Sequence, residues 1–186
     1  IEKKGACIPS SVPVMIDCPA ERTAPGRIRQ RGPVRMLVPE SEHGAAFIDL
    51  FARLALDVSQ TNDFRTAAWR KLCLNSAGAV PAVTLHPSRI VRHEGVADIM
   101  RGVIRECIAV ARAEGAALED AVADAIIESM RKGPGDSVNS MHADRLAGRP
   151  MEIDARNGVI VRLGRKHGIA TPLNSMLVAL LEAVQS

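Results

Sequence analysis

The feature that most constrains the fold of this 186-residue chain is a change in the spacing of apolar residues near residue 40. Before that point, residues 12–18 and 34–38 are short apolar runs rich in β-branched residues, and the turn-forming pair Pro25-Gly26 lies between them. Beyond it, apolar residues recur at every third or fourth position, the spacing of one helical face. The sequence therefore predicts two or three strands followed by a mainly α region.

Successive amphipathic segments fill the region after residue 41. Helices are predicted over residues 64–79, 96–113, 137–146, 153–167 and 172–184, with further apolar stripes within 47–54 and 118–130. The apolar side of the helix predicted over 96–113 carries Ile99, Val103, Cys107 and Val110. Because so few strands are marginal alone, residues 1–40 are interpreted as the β remnant of one domain and residues 41–186 as a helical domain. The chain begins with Ile1 rather than Met, so we expect a fragment of a longer protein.

Composition argues against several classes of function. The net charge is only +3 and aromatic residues make up 2%, whereas nucleic-acid binding usually needs a concentrated basic face with stacking aromatics. No apolar run reaches the length of a membrane span, and no signal peptide is visible. The sequence predicts a cytoplasmic protein that binds neither nucleic acid nor membrane.

The cysteines and histidines do not have the spacing of a metal site. The five histidines are scattered, and the cysteines form no CxxC pair; they are Cys7, Cys18, Cys73 and Cys107. We therefore expect no bound metal, and the cysteines are interpreted as buried free thiols in a reducing compartment.

One candidate site lies in the segment 67–79. Lys71 and Asn75 are four residues apart and share a face if the segment is helical. The small residues 76–79 follow and would let another helix or a ligand approach the backbone closely. The spacing alone favours an exposed Lys-Asn pair on a tightly packed helix, because single Lys and Asn residues are mostly exposed.

A second candidate site lies in residues 139–158, where hydroxyl, carboxylate, arginine and amide groups are dense. Glu152 and Asp154 stand near the predicted start of a helix, where they could simply complement its dipole and cap it. Arg149 is expected to pair with one of them. The pattern alone leaves a carboxylate-and-hydroxyl site as the weaker alternative.

Taken together, these segments resemble a known family. The string N-S-M-x-x-D-x-x-x-G-R-x-x-E-I-D-x-x-N-G, followed by H-G-I-A-T-P-L-N, is similar to the signature of the ketopantoate reductase C-terminal domain. W-R-K-L-x-x-N resembles its companion motif, and P-G-R-I-R resembles the last strands of the nucleotide-binding domain. The resemblance implies a helical domain of the 6-phosphogluconate dehydrogenase C-terminal-like type, preceded by a short β remnant of a Rossmann domain.

The resemblance also implies roles for four residues. Lys71 would be the general acid that protonates the 2-oxo group as hydride arrives, and Asn75 would bind the substrate. Ser140 would contact the substrate carboxylate. Glu152 would contact the substrate and neighbouring polar groups, with a contact to the cofactor as a further expectation. An ammonium group suits the first role, since hydride transfer builds negative charge on the ketone oxygen.

The implied reaction is the NADPH-dependent reduction of 2-dehydropantoate to pantoate in pantothenate biosynthesis, by an enzyme expected to form a homodimer. No GxGxxG turn occurs in the chain, so NADPH would be bound mainly by an N-terminal Rossmann half, and this chain alone would be inactive. Ala79 stands where the family commonly has a second asparagine, expected on the same face as Asn75. Ala79 suggests one alternative, a reductase of another 2-oxo acid. An alternative of another class is a non-catalytic helical dimerisation domain, although the joint presence of Lys71, Asn75, Ser140 and Glu152 argues against it.

Overall fold

The computed structural model describes residues 11–185, apart from the side chain of Arg22. These residues fall into two compact units, and the division lies between Phe64 and Arg65. The first unit contains every strand of the described chain, and the second is helical. The predicted mainly α fold class with a short N-terminal β part is confirmed.

The first unit is built from five short strands and one helix. In chain order they are β1 (Met15–Asp17), β2 (Ala20–Ala24), β3 (Arg27–Gln30), β4 (Arg35–Pro39), α1 (Glu42–Phe51) and β5 (Asp57–Thr61). Strand β4 is central in a three-stranded sheet, antiparallel to β1 and parallel to β5. Strands β2 and β3 form a separate hairpin. Its turn contains Gly26 with a φ of 72°, a left-handed conformation that favours glycine.

The division between the units lies later than the boundary predicted after residue 40. Strand β5 pairs with β4 along its whole length, and α1 packs against β5. These contacts bring residues 42–61 into the first unit. The sequence did not predict β5, because Asp57, Ser59 and Gln60 break up its apolar pattern.

The second unit consists of helices linked by short connections. They are α2 (Phe64–Ala77), α3 (Ala79–Thr84), a 3-10 helix (Ser88–Arg92), α4 (Glu94–Ala113), α5 (Ala121–Lys132), α6 (Ser140–Leu146), a π-helical turn (Asp154–Gly158), α7 (Val159–His167) and α8 (Pro172–Gln185). Helix α7 ends at His167, and the following Gly168 has a φ of 67°, the left-handed conformation that favours glycine at a helix C-terminus. Most of the predicted helices are present with small shifts at their ends.

Helix α4 is the centre of this unit's core. It contacts α5, α7 and α8, and it buries eight apolar side chains over its 20 residues. Met100, Ile104 and Ile108 are essentially inaccessible to solvent. Burying each such side chain stabilises the fold by about 1.5–3 kcal/mol. The helical positions around α4 are therefore strongly fixed.

A break separates α2 from α3, where the sequence predicted one helix over residues 64–79. Helix α2 ends at Ala77, and α3 begins at Ala79. Pro81 explains the break, because a proline ring clashes with the carbonyl four residues earlier, here that of Ala77. Ala79 is fully buried in the core cluster. The expectation that position 79 shares an open face with Asn75 is therefore wrong.

The described cysteines are free thiols. Cys73 and Cys107 are buried, as predicted, whereas Cys18 is exposed, contrary to the prediction. A hydrogen bond that the Cys107 thiol donates to Cys73, together with burial, raises the pKa of the Cys107 thiol well above its usual value. Cys7 lies outside the described residues.

Across residues 11–185, no helix is both long enough and apolar enough to cross a membrane. The same residues contain no cluster of three or more His, Cys, Asp or Glu side chains arranged to hold a metal ion.

Candidate active site

Helix α2 carries Lys71 and Asn75 one turn apart, and both are half-buried. Cys73 and Ala77 lie on the face of α2 that packs into the core. Gly78 follows Lys71 by seven residues, which is nearly two helical turns. One side of α2 therefore carries Lys71 and Asn75, and Gly78 continues that side just beyond the C-terminal end of the helix.

Gly78 contacts the start of α6. The side chain of Asn139 donates a hydrogen bond from Nδ2 to the Gly78 carbonyl at 3.0 Å. The Oδ1 atom of Asn139 accepts from the backbone N–H of His142, which caps α6. A Cβ atom at Gly78 would lie 3.1 Å from Asn139 Nδ2, so glycine permits this close approach. Ser140, the next residue, is thereby placed near the end of α2.

A second connection runs from the end of α2 to the π-helical turn. Asn157 is fully buried, and its Nδ2 atom donates to the Ser76 carbonyl at 3.1 Å and to Asn174 Oδ1 at 2.9 Å. Asn174 in turn donates from Nδ2 to the Val103 carbonyl and to Glu106 Oε2. We call Asn157, Asn174 and Glu106 the buried amide network. It fixes the π-helical turn against α2, α4 and α8.

Glu106 also caps α8 from another helix. Its carboxylate accepts the backbone N–H groups of Leu173 and Asn174, each at 2.9 Å. These are N-terminal amides of α8 that have no partner within their own helix. Pro172 is the first residue of α8, as predicted. A carboxylate near the positive end of the helix dipole adds to this stabilisation.

Arg156 joins two of the predicted site residues. Its Nη2 atom donates to Ser140 Oγ at 2.7 Å and to Glu152 Oε2 at 3.2 Å. The Arg156 side chain is 11% exposed, whereas that of Glu152 is 67% exposed. We call Ser140, Glu152 and Arg156 the arginine cluster. A buried stem therefore holds a guanidinium group against a hydroxyl and a carboxylate at the surface.

The predicted ion pair of Arg149 with Glu152 or Asp154 was wrong. Arg149 instead pairs with Asp144, at 2.8 Å. Arg156 was not predicted as a site residue, although it lies four residues after Glu152 at the start of a predicted helix, a favourable spacing for an ion pair.

His142 lies two residues after Ser140, on α6. It is 2% exposed, and neither ring nitrogen has a hydrogen-bond partner in the described part of the chain. Burial lowers the pKa of His142, with smaller contributions from Arg145 and His86. A neutral imidazole at pH 7 is therefore expected beside Ser140.

The structure thus brings Ser140 and Glu152 together through Arg156, and it ties their segments to the end of α2 that follows Asn75. A close approach of Lys71 to Glu152 stays a prediction. The arginine cluster combines a hydroxyl donor with a fixed cation, a combination that binds carboxylates well.

Comparisons with known proteins agree with this architecture. Residues 63–185 match the family model described as ketopantoate reductase PanE/ApbA C terminal. The chain is 55% identical over 172 residues to a 2-dehydropantoate 2-reductase of Caulobacter vibrioides, covering 92% of this chain and 59% of that protein. It is 44% identical over 177 residues to the 2-dehydropantoate 2-reductase of Mycobacterium tuberculosis, covering 94% of this chain and 60% of that protein.

A solved structure has the same fold. The crystal structure of a PanE/ApbA family ketopantoate reductase from Ralstonia eutropha superimposes with a TM-score of 0.84 at 38% identity, covering 92% of this chain and 58% of that one. The chain thus spans about three fifths of the length of the relatives it matches. The motifs, the helical fold and these similarities lead to one conclusion: the chain belongs to the ketopantoate reductase PanE/ApbA family, with the family's C-terminal region at residues 63–185.

Proposed function

We propose that the chain is the substrate-side part of an enzyme that reduces 2-dehydropantoate to pantoate with a nicotinamide cofactor. The relatives named above are 2-dehydropantoate 2-reductases, and this chain matches about three fifths of their length. The observation that carries the proposal is the arginine cluster. Ser140 and Glu152, assigned to the substrate by family resemblance, come from separate elements and bind the same guanidinium nitrogen.

Lys71 is the proposed general acid. Reduction of a ketone places negative charge on its oxygen, and a nearby ammonium group can stabilise that charge and donate the proton. Asn75 follows one helical turn later and supplies an amide for the same substrate. Both residues lie on the side of α2 that continues to Gly78, and the Gly78 carbonyl accepts a hydrogen bond from Asn139. This position supports the proposed role.

Ser140 and Glu152 are proposed to hold the other end of the substrate. Ser140 stands at the first position of α6, where its hydroxyl group is accessible. The Glu152 carboxylate is also accessible and accepts a hydrogen bond from Arg156. Such accessible polar groups on a rigid helical frame suit substrate binding, because their geometry is set before the substrate arrives.

The nicotinamide cofactor would supply the hydride. Its pyrophosphate requires a glycine-rich turn at a helix N-terminus, and the chain contains no GxGxxG sequence. Among residues 11–185 we therefore assign no residue to the pyrophosphate of the cofactor. NADPH as the specific cofactor, Glu152 as one of its contacts, a homodimer and a cytoplasmic location stay predictions.

Another 2-oxo acid remains the alternative substrate. This alternative rests on Ala79, but the Ala79 side chain is fully buried in the core and offers no surface to a substrate. Turnover of a panel of 2-oxo acids by the full-length protein distinguishes the two substrates. No turnover of any of them would favour the non-catalytic dimerisation domain.

The experiment compares Lys71→Ala with Lys132→Ala in the full-length protein, with 2-dehydropantoate and NADPH. Lys132 is an exposed lysine at the end of α5 and serves as the control. We expect Lys71→Ala to lower kcat by about a hundredfold or more, the usual effect of losing a general acid. Lys132→Ala should keep the wild-type rate. Equal rates for the two variants would remove Lys71 from the mechanism.

A further inference from the structure

We propose that Arg156 binds the carboxylate of the substrate and thereby determines the preference for anionic 2-oxo acids. This inference rests on the proposed function and adds a residue to it. Neither the motif nor the resemblance assigns Arg156 a role, since the motif specifies no residue type at this position between Glu152 and Asn157.

The first argument is the geometry of the guanidinium group. The Arg156 side chain is 89% removed from solvent, yet its Nη2 atom reaches two accessible groups, Ser140 Oγ and Glu152 Oε2. The buried stem leaves the guanidinium group little freedom. Among residues 11–185, its Nη1 and Nε atoms have no hydrogen-bond partner. An arginine with spare donors at a polar surface is suited to bidentate binding of a carboxylate.

The second argument is electrostatic. Ser140 Oγ and Glu152 Oε2 bind the same nitrogen, so their separation cannot exceed the two hydrogen-bond lengths together. A substrate carboxylate held by Ser140 would therefore lie close to the negative charge of Glu152. Two like charges at such a distance repel each other. The positive charge of Arg156, which contacts both Ser140 and Glu152, offsets this repulsion and makes an anion acceptable there.

The third argument is the local backbone. Arg156 and Asn157 both belong to the π-helical turn, and Asn157 is held by the buried amide network. A π-helical turn inserts an extra residue into a helix and is frequent at functional sites. Because Asn157 fixes this turn against α2, the neighbouring Arg156 has a defined position from which to reach Ser140.

The test uses the full-length protein and a matched substrate pair, 2-dehydropantoate and its uncharged carboxamide. Three variants are compared: Arg156→Gln, Arg156→Lys and the control Arg162→Gln. Arg162 is an accessible arginine that pairs with Asp154 at 2.6 Å in the same region of the chain. The kinetic constants for both substrates and the thermal unfolding temperature are measured for each variant.

We expect Arg156→Gln to raise KM for the acid by about ten- to a hundredfold, the range for losing a hydrogen bond to a charged group. KM for the carboxamide should change by less than about threefold, so the preference for the acid is largely lost. Arg156→Lys should retain part of the preference, because it keeps the charge without the fork of donors. Arg162→Gln should behave as wild type.

Equal losses for the acid and the carboxamide would overturn the inference, since they would show that Arg156 only positions Ser140 and Glu152. If Arg156→Gln fails to fold, Arg156→Lys carries the test, and an unchanged KM for the acid in that variant overturns bidentate binding. A wild-type enzyme that reduces 2-oxo acids but has no preference over carboxamides overturns the inference alone. A wild-type enzyme that reduces neither overturns the proposed function and this inference with it.

Discussion

Arg156 and Asn157 are consecutive residues of one π-helical turn, yet they belong to polar clusters of opposite kinds. Asn157 is fully buried, and both Nδ2 hydrogens are used inside the protein, by the Ser76 carbonyl and by Asn174. Arg156 donates hydrogen bonds to the accessible groups of Ser140 and Glu152, and its Nη1 and Nε atoms have no partner among residues 11–185. The comparison shows that polar groups are enclosed within the fold on one side of the turn and reach accessible groups on the other, where we propose that the substrate binds.

The difference follows from the cost of burial. A buried polar group without a partner costs about 1–3 kcal/mol, so the buried amide network directs nearly all of its donors to protein acceptors. The Oδ1 atom of Asn157 is the exception, with no partner in the described part of the chain. At the arginine cluster water can satisfy the remaining donors, and a ligand can replace that water. Stability and binding should therefore respond separately to substitutions in the two clusters.

The largest effect on stability is expected from Asn174→Leu. This change removes the acceptor of one Asn157 Nδ2 hydrogen, and it removes the Nδ2 donor that Asn174 shares between Glu106 Oε2 and the Val103 carbonyl, all in a buried region. We expect the full-length protein to lose about 3 kcal/mol in free energy of unfolding, because each unsatisfied group costs about 1–3 kcal/mol. Urea-induced unfolding measures the loss.

Glu152→Gln is the matched control in the arginine cluster. The Glu152 side chain is 67% exposed, and exposed ion pairs contribute at most about 1 kcal/mol. Its free energy of unfolding should stay within about 0.5 kcal/mol of wild type while turnover falls. A loss of stability as large as that of Asn174→Leu would show that the arginine cluster supports the fold, and the comparison would fail.

A smaller loss of stability is expected from Ala79→Asn. Ala79 has no accessible surface and packs among apolar side chains, so an amide introduced there must be buried without a prepared partner. We expect a loss of about 2 kcal/mol by the same urea measurement, with no gain in the rate on 2-dehydropantoate. A variant that is as stable as wild type and reduces 2-dehydropantoate faster would show that position 79 contributes to the substrate site.

Much of the helical unit could be predicted, because the spacing of apolar residues within each helix is visible in a short stretch of sequence. Val103, Cys107 and Val110 formed one predicted stripe of α4, and all three are buried. Ile99, assigned to the same stripe, is 40% exposed, and Met100 is buried in its place. The spacing of apolar residues thus predicted the helix and most of its buried face. Which residues lie at the edge of that face depends on the neighbouring helices that pack against it.

Other features depend on contacts that no local pattern contains. Asn157 and Ser76 are 81 residues apart, and Asn174 reaches Val103 across 71 residues. Single amides in a sequence resemble surface residues, so spacing could not identify the network. Ser140 and Glu152 were likewise assigned from the family resemblance, since their spacing alone fitted a simple helix cap. Their shared partner, Arg156, was visible only in three dimensions.

The most direct test of the account is a crystal structure of the full-length protein with pantoate bound. We expect the pantoate carboxylate to lie about 3 Å from Ser140 Oγ and from a guanidinium nitrogen of Arg156, with the 2-hydroxyl within hydrogen-bond distance of Lys71 Nζ. Pantoate bound elsewhere, or bound with its carboxylate away from Ser140 and Arg156, would contradict the proposed site.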